Sequence, residues 1–332
     1  MTVRRVFRFL FRGDGVFERL KERILVLLIP SLAAIVRRYT HTEVSQLGKY
    51  FRLWEKEDVH ITPVHFYSPN PDTRALPDEL WERQSTMVGV ELNEAAQLEL
   101  LRDVFPLYRT EYDLFPSAPT EVPHEFHFNN GMFDGTDALA LYCLIRHFRP
   151  KTIIEVGAGF SSRISAVAAL RNGDTQLICI EPFPPPLFEE GFPGLTRLIR
   201  EPVQQVGLSL FEQLGENDIL FIDSSHVVKC GSDVTYLYLE VLPRLRPGVM
   251  IHIHDVFLPG EMPKELLKDL GLFWNEQYLL RAFLTFNSEF EVLFAGAYMG
   301  DHREAEMRAT FPHAKPFWGG GSFWIRRKRT MT

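Results

Sequence analysis

The chain has 332 residues, 45% of them apolar and 24% charged, with a formal net charge of −7. That is enough apolar material for one core in a domain of about 200 residues plus an accessory region. The negative balance gives no electrostatic footprint for a phosphate backbone and excludes nucleic acid as an expected partner.

Residues 1–38 alternate arginines with Phe, Leu, Ile and Val, and hold the apolar run Ile24 to Val36, interrupted by Pro30. The run is too short for a comfortable bilayer crossing, and Arg23, Arg37 and Arg38 flank it. Charges of both signs ahead of a broken apolar stretch, without a small-residue cleavage site, argue against a cleaved leader. Two readings stand for this segment. Packing on a partner subunit, including a second copy of the chain, is preferred because apolar helical stripes are usually buried in protein. The other is a basic amphipathic helix on an anionic membrane surface.

Residues 39–120 read as an accessory region. His60 to Pro69, followed by Asn70, Pro71 and Asp72, is punctuated by prolines and reads as extended. Glu91 to Phe105 predicts an amphipathic helix, and the proline-rich Phe115 to Pro123 predicts a boundary. Residues 1–120 are thus expected to be a helical extension, and residues 121–332 the main domain.

A helix is expected over residues 136–148. Ile153, Ile154, Glu155 and Val156 then form a β-branched run, typical of a parallel strand covered on both faces, that stops in Gly157-Ala158-Gly159. Ser161 to Leu170 resumes at helical spacing. Glycines at such a strand-to-helix turn let the backbone bend sharply and let a ligand approach closely. A second strand, Thr175 to Ile180, ends in Glu181, about 22 residues after Gly159, where an acid can accept hydrogen bonds from two ribose hydroxyls. A third, from Asp218 to Ile222, ends in Asp223-Ser224-Ser225-His226. After a helix from Ser232 to Leu242 comes the strand Val249 to Ile253, holding His252 and ending in His254-Asp255. His252 and His254 share a face of that strand, so one of them is expected to be a satisfied core residue. Beyond it, Phe257 to Phe286 reads as a proline-and-glycine loop and then a helix bearing Trp274-Asn275-Glu276-Gln277-Tyr278. Phe290 to Ala295 and Ser322 to Arg327 supply two last strands, separated by a connection ending in Gly319 to Gly321. Cys143, Cys179 and Cys230 are scattered with no pair at metal-ligand spacing, so a reducing compartment, the cytoplasm, is the expectation.

Ligands of open α/β sheets sit outside the carboxyl ends of the strands, so Glu155, Glu181, Asp223, His226, His254 and Asp255 should border one crevice. A dinucleotide fingerprint wants a third glycine or alanine where Ser162 stands, and Glu155 would repel a pyrophosphate while attracting an ammonium group. Glu155-x-Gly157-x-Gly159 followed by Glu181 therefore resembles the first two motifs of class I S-adenosylmethionine-dependent methyltransferases. Asp223-x-x-His226 with the later His254-Asp255 is similar to the branch that holds macrolide-sugar O-methyltransferases and cephalosporin-hydroxylase-like proteins, over roughly residues 120–327.

The resemblance implies a Rossmann-like three-layer α/β sandwich with a seven-stranded, mostly parallel sheet and an antiparallel last strand. It implies S-adenosyl-L-methionine held by Glu155, Gly157, Gly159, Ser161, Ser162, Glu181 and Asp223, with His226 as general base. It further implies a divalent metal on Asp223, His254 and Asp255. Relatives carry a carboxylate where His254 stands, and an imidazole there suits Mn²⁺, Fe²⁺ or Zn²⁺ better than Mg²⁺. The implied acceptor is a hydroxyl of a sugar or other small polar metabolite, with residues 60–72 either wrapping the acceptor pocket or serving as a solvated connector. The alternatives are an NAD(P)-dependent oxidoreductase or epimerase, a hydroxylase-like use of the same fold, and a catalytically inactive, membrane-associated assembly factor.

Overall fold

The structure, a computed structural model, describes residues 16–40, 50–312, 314 and 320–328. Residues 1–15 of the basic segment, and Gly319, lie outside the described residues. The chain divides into two compact units, Met1–Leu76 and Pro77–Thr332. The boundary expected after residue 120 falls inside the second unit.

The first unit holds a 25-residue helix, α1 (Val16–Thr40), with Pro30 inside it and Arg37 and Arg38 in its last turn. Residues 59–76 contain no helix or strand. Among the described residues no helix is long and apolar enough to cross a membrane.

The second unit is built on one seven-stranded sheet. In chain order come α2 (Glu94–Glu99), α3 (Gly135–Phe148), β1 (Thr152–Val156), α4 (Phe160–Asn172), β2 (Gln176–Ile180), β3 (Arg197–Ile199), β4 (Ile219–Ile222), α5 (Asp233–Tyr236), β5 (Met250–Ile253), α6 (Glu276–Leu284), β6 (Phe290–Ala295) and β7 (Phe323–Arg327). The spatial order is β3-β2-β1-β4-β5-β7-β6. β1 to β5 run parallel, and β7 lies antiparallel to both β5 and β6. This is the Rossmann-like sheet anticipated from the strand pattern.

Side chains alternate across a strand, and here both faces are buried. Ile153, Cys179, Ile219, Phe221 and Met250 join Leu141, Leu144 and Ile164 from α3 and α4 in one core. Ile154, Val156, Ile178, Leu220, Ile222 and Ile251 join Val234, Leu237, Leu280 and Leu284 in the other, on the side of α5 and α6. The apolar runs of β1 and β4 are continuous because neither face of the sheet sees water.

Three helices depart from their expected form. The helix foreseen over 91–105 begins at Glu94 and passes through a wide π turn at Leu100–Val104 into a 3₁₀ turn at Phe105–Tyr108. The helix expected to end at Leu242 widens likewise at Leu237–Val241 and closes in a 3₁₀ turn at Leu242–Arg244. In both, proline follows closely, at Pro106 and Pro243, and the missing N–H spoils the regular ladder. Trp274 and Asn275 stand before α6 rather than on it. The amide groups of Asn275 and Glu276 donate to the His226 carbonyl, and Asn275 Oδ1 accepts from Val228 N–H, which ties this segment to the loop after β4.

Candidate active site

The ends of β1, β2, β4 and β5 lie along one edge, as the parallel register requires. The turn after β1 is set by Gly157, whose φ is +88°; a Cβ there would collide with the Asp223 carbonyl oxygen. Asp223 N–H donates to the Val156 carbonyl and Gly157 N–H to that of Ile180, so three strand ends are laced together. Gly159 is different: a Cβ there would meet no heavy atom within 4 Å, so the missing side chain leaves open space at the start of α4.

Glu155 is fully buried beneath that turn. Its Oε1 accepts the Ser161 and Ser162 hydroxyls at 2.6 and 2.8 Å, and Oε2 has no partner. Burial pushes its carboxyl up to about 8, against the pull of the two serines, and the nearby Asp223 charge raises it further. The hydroxyls of Ser161 and Ser162 are thereby engaged with Glu155, and Ser162 Oγ also accepts Gly159 N–H. Both serines support the turn from below. Glu181 stands partly exposed at the tip of β2, with Oε1 accepting Phe183 N–H at 2.8 Å.

Past β4 and β5 the side chains converge. His226 is buried, with Nδ1 2.9 Å from Glu276 Oε2 and Nε2 3.3 Å from Asp223 Oδ1 and 3.5 Å from Asp255 Oδ2. The Trp274 ring lies against its imidazole, centroids 4.7 Å apart. Burial opposes a charge on His226, but hydrogen bonds and the charges of Asp223 and Glu276 prevail and push it up to about 10. Burial likewise disfavours ionised Asp223, yet His226 and His254 hold its carboxyl well below the usual range. His254 Nδ1 lies 3.6 Å from Asp223 Oδ1 and 3.7 Å from Asp255 Oδ2, and its Nε2 lies 3.7 Å from Asp137 Oδ2. His252 belongs to the core: it stacks on Phe221 and its Nε2 pairs with Ser322 Oγ at 2.8 Å.

Asp223, His226 and Asp255 each offer a ligand atom, all within 4.8 Å of one another, so these three can share a cation. The resemblance placed His254, not His226, in that set; in the structure His254 stands beside it. Sequence reasoning missed two residues. Glu276, seen only as part of an aromatic and amide helix, is the carboxylate that holds His226 Nδ1 and the Ser224 hydroxyl. Asp137, in the first turn of α3, accepts Gly321 and Ser322 N–H at 2.9 Å each and borders His254. An acid directly ahead of the unbroken apolar run Ala138 to Ile145 was the available signal.

A Rossmann-like sheet of this order, with a glycine turn after β1, an acid after β2 and a polar cluster after β4 and β5, has the layout in which open α/β sheets receive adenosine-bearing ligands. A family model described as a methyltransferase domain matches residues 154–256. A protein of Archaeoglobus fulgidus, itself uncharacterized, is 35% identical over 167 residues, which is 47% of this chain and 75% of the relative. Residues 154–256 are thus similar to a methyltransferase domain, in line with the resemblance read from the glycine turn and the strand-end acids, and S-adenosyl-L-methionine is the cofactor that resemblance implies. Among solved structures, the O-methyltransferase TomG from Streptomyces achromogenes, in complex with S-adenosylmethionine, is similar at 16% identity, with a TM-score of 0.38 over 74% of this chain and 92% of that one. The plantazolicin methyltransferase BpumL, in complex with S-adenosylhomocysteine, is similar at 10% identity and a TM-score of 0.35, over 57% of this chain and 82% of that one. The likeness to a methyltransferase domain rests on the match over residues 154–256. The site fits the cofactor: Gly159 leaves the space, Glu155 Oε2 is an orphaned buried acceptor, and Glu181 stands at the strand tip.

Proposed function

We propose that the protein methylates a hydroxyl oxygen of a sugar or another small polar metabolite. The observation that carries this reading is His226, whose Nδ1 is fixed by Glu276 while Nε2 faces Asp223 and Asp255 at the sheet edge, beside the glycine turn. Bound S-adenosylmethionine supplies an electrophilic methyl group on a sulfonium sulfur. Gly157 would set the turn that receives it, Gly159 would leave it room, and Glu181 would accept its ribose hydroxyls. An alcohol is a weak nucleophile near neutral pH. His226, in the neutral form that becomes more abundant as pH rises toward 10, would take the alcohol proton on Nε2 as the oxygen is methylated, with the electron pair of the carbon–sulfur bond left on sulfur. Asp223 and Asp255 stabilise the imidazolium that forms, and Glu276 keeps the ring from turning.

A labelled methyl donor, offered with panels of sugars, phenols, amines and peptides, tests the reading. Label on an alcohol oxygen, with kcat lowered about 10²–10⁴-fold in His226→Gln, is the expected result. Label on nitrogen alone, or full activity in His226→Gln, overturns it.

The 4.8 Å grouping of Asp223, His226 and Asp255 favours a second reading, in which these residues hold a divalent cation that orients vicinal hydroxyls. An imidazole among the donors suits Mn²⁺ better than Mg²⁺. In that case chelation abolishes turnover, Mn²⁺ restores it, and Asp255→Asn raises the Mn²⁺ needed for half-activity by about tenfold or more. Turnover indifferent to the chelator leaves the base reading alone.

A further inference from the structure

The charge of the chain is unevenly distributed. Residues 1–38 carry nine arginines and lysines against three acids, while the whole chain is net −7. Within this basic segment α1 presents its apolar residues outward. Residues 24–29, Ile-Leu-Val-Leu-Leu-Ile, are each 46–75% exposed, and Leu32 and Ile35 are 56% exposed. Six consecutive residues at 3.6 per turn pass around the whole circumference of a helix. A groove on a protein, or the seam of a paired helix, covers one narrow stripe; mobile lipid chains and headgroups close around the flanks of a helix as well as beneath it and cover a wider arc of these residues.

We infer that α1 seats the protein on an anionic lipid bilayer, with residues 24–36 in the boundary between headgroups and acyl chains. Arg23 at one end and Arg37 and Arg38 at the other lie at headgroup level. The apolar run of 13 residues is about 20 Å long, against a hydrocarbon core of about 30 Å, so it lies within one leaflet. Pro30 supports a shallow seat. It denies the Val26 carbonyl its intrahelical donor, a loss that interfacial water makes good and the dry centre of the bilayer does not. Basic residues at both ends match phosphate headgroups on a single surface. The apolar run between them excludes nucleic acid as the partner of the same charge.

Sedimentation of the full chain with vesicles tests this. Vesicles of phosphatidylcholine alone are compared with vesicles containing about 30% phosphatidylglycerol. The expected result is at least tenfold more binding to the anionic vesicles. Leu27→Asp should lower it about tenfold or more, and the pair Arg37→Ala, Arg38→Ala roughly thirtyfold at low salt. Unchanged thermal melting in each variant excludes misfolding as the cause. Equal, negligible sedimentation with both vesicles overturns the inference. So does a dimer seen by light scattering that Leu27→Asp dissociates while neither vesicle binds, which would make α1 a contact between copies.

Discussion

His226 and Asp255 both hold left-handed backbone, with φ of +59° and +55°, a conformation that costs a residue with a side chain on the order of 1 kcal/mol. His226 is braced: its carbonyl accepts the backbone amides of Asn275 and Glu276, and its N–H donates to Ser224 Oγ at 3.1 Å. Glu276 completes the brace from the side-chain end. Glu276→Gln, which keeps the shape but removes the charge opposite Nδ1, is expected to lower kcat about 10–100-fold with KM nearly unchanged. Steady-state kinetics of the variant check this. Gly157→Ala meets both a positive φ and the Asp223 carbonyl oxygen, so it is expected to lower stability by about 2 kcal/mol or more and to abolish binding of S-adenosylmethionine. Thermal melting and calorimetric titration report the two effects separately. Glu181→Ala leaves the fold alone and is expected to weaken that binding about tenfold or more by calorimetry, since it removes only an acceptor at the strand tip. The strand-end residues were legible because a strand that stops in Gly, Asp or His advertises its edge. Asp137 and Glu276 were not, because each belongs to an element fifty or more positions from the histidine it serves.

Glu111 joins elements that the sheet does not. It accepts Arg146 Nε of α3 at 2.8 Å, lies 3.0 Å from Arg171 Nη1 of α4, and takes the Tyr142 hydroxyl. Arg146 chiefly, against the opposing effect of burial, brings the Glu111 carboxyl down from 4.5 to about 2. A depressed acid contributes stability that is complete above its unfolded value and lost as pH falls through its folded one. Glu111 therefore stabilises the unit fully above about pH 4.5, and this contribution disappears between there and about pH 2. It amounts to roughly 2 kcal/mol once water screening of a partly exposed cluster is allowed for. Glu111→Gln should accordingly lower the melting temperature at pH 7 and flatten its decline between pH 4.5 and 2, which a series of melts would reveal. None of this was visible in the spacing of residues 109–112, a single turn that the expected boundary near residue 120 would have separated from α3. The helices of the core were read well because their apolar faces are long. The π turns were not, because they depend on how prolines such as Pro106 and Pro243 meet a packed neighbour.

The strands, the antiparallel ending and the crevice follow from alternating burial and chain connectivity, so the architecture of the second unit was largely legible. The division after Leu76 was not, because the extended segment around residues 60–76 and the proline-rich stretch near 120 carry the same local signals. Limited proteolysis is expected to yield a resistant fragment beginning near Pro77, identified by its mass and amino-terminal sequence; one beginning near residue 121 would contradict this division. The last strand of the sheet also orders events in time. β7 inserts between β5 and β6, and the turn before it supplies the Gly321 and Ser322 amides to Asp137 and the Gly321 carbonyl to Val256. A nascent chain on the ribosome therefore carries β5 with an unpaired edge until residues 323–327 have cleared the exit tunnel. The cluster around His254 acquires its Asp137-held border only then, so one late segment completes the sheet and the crevice together.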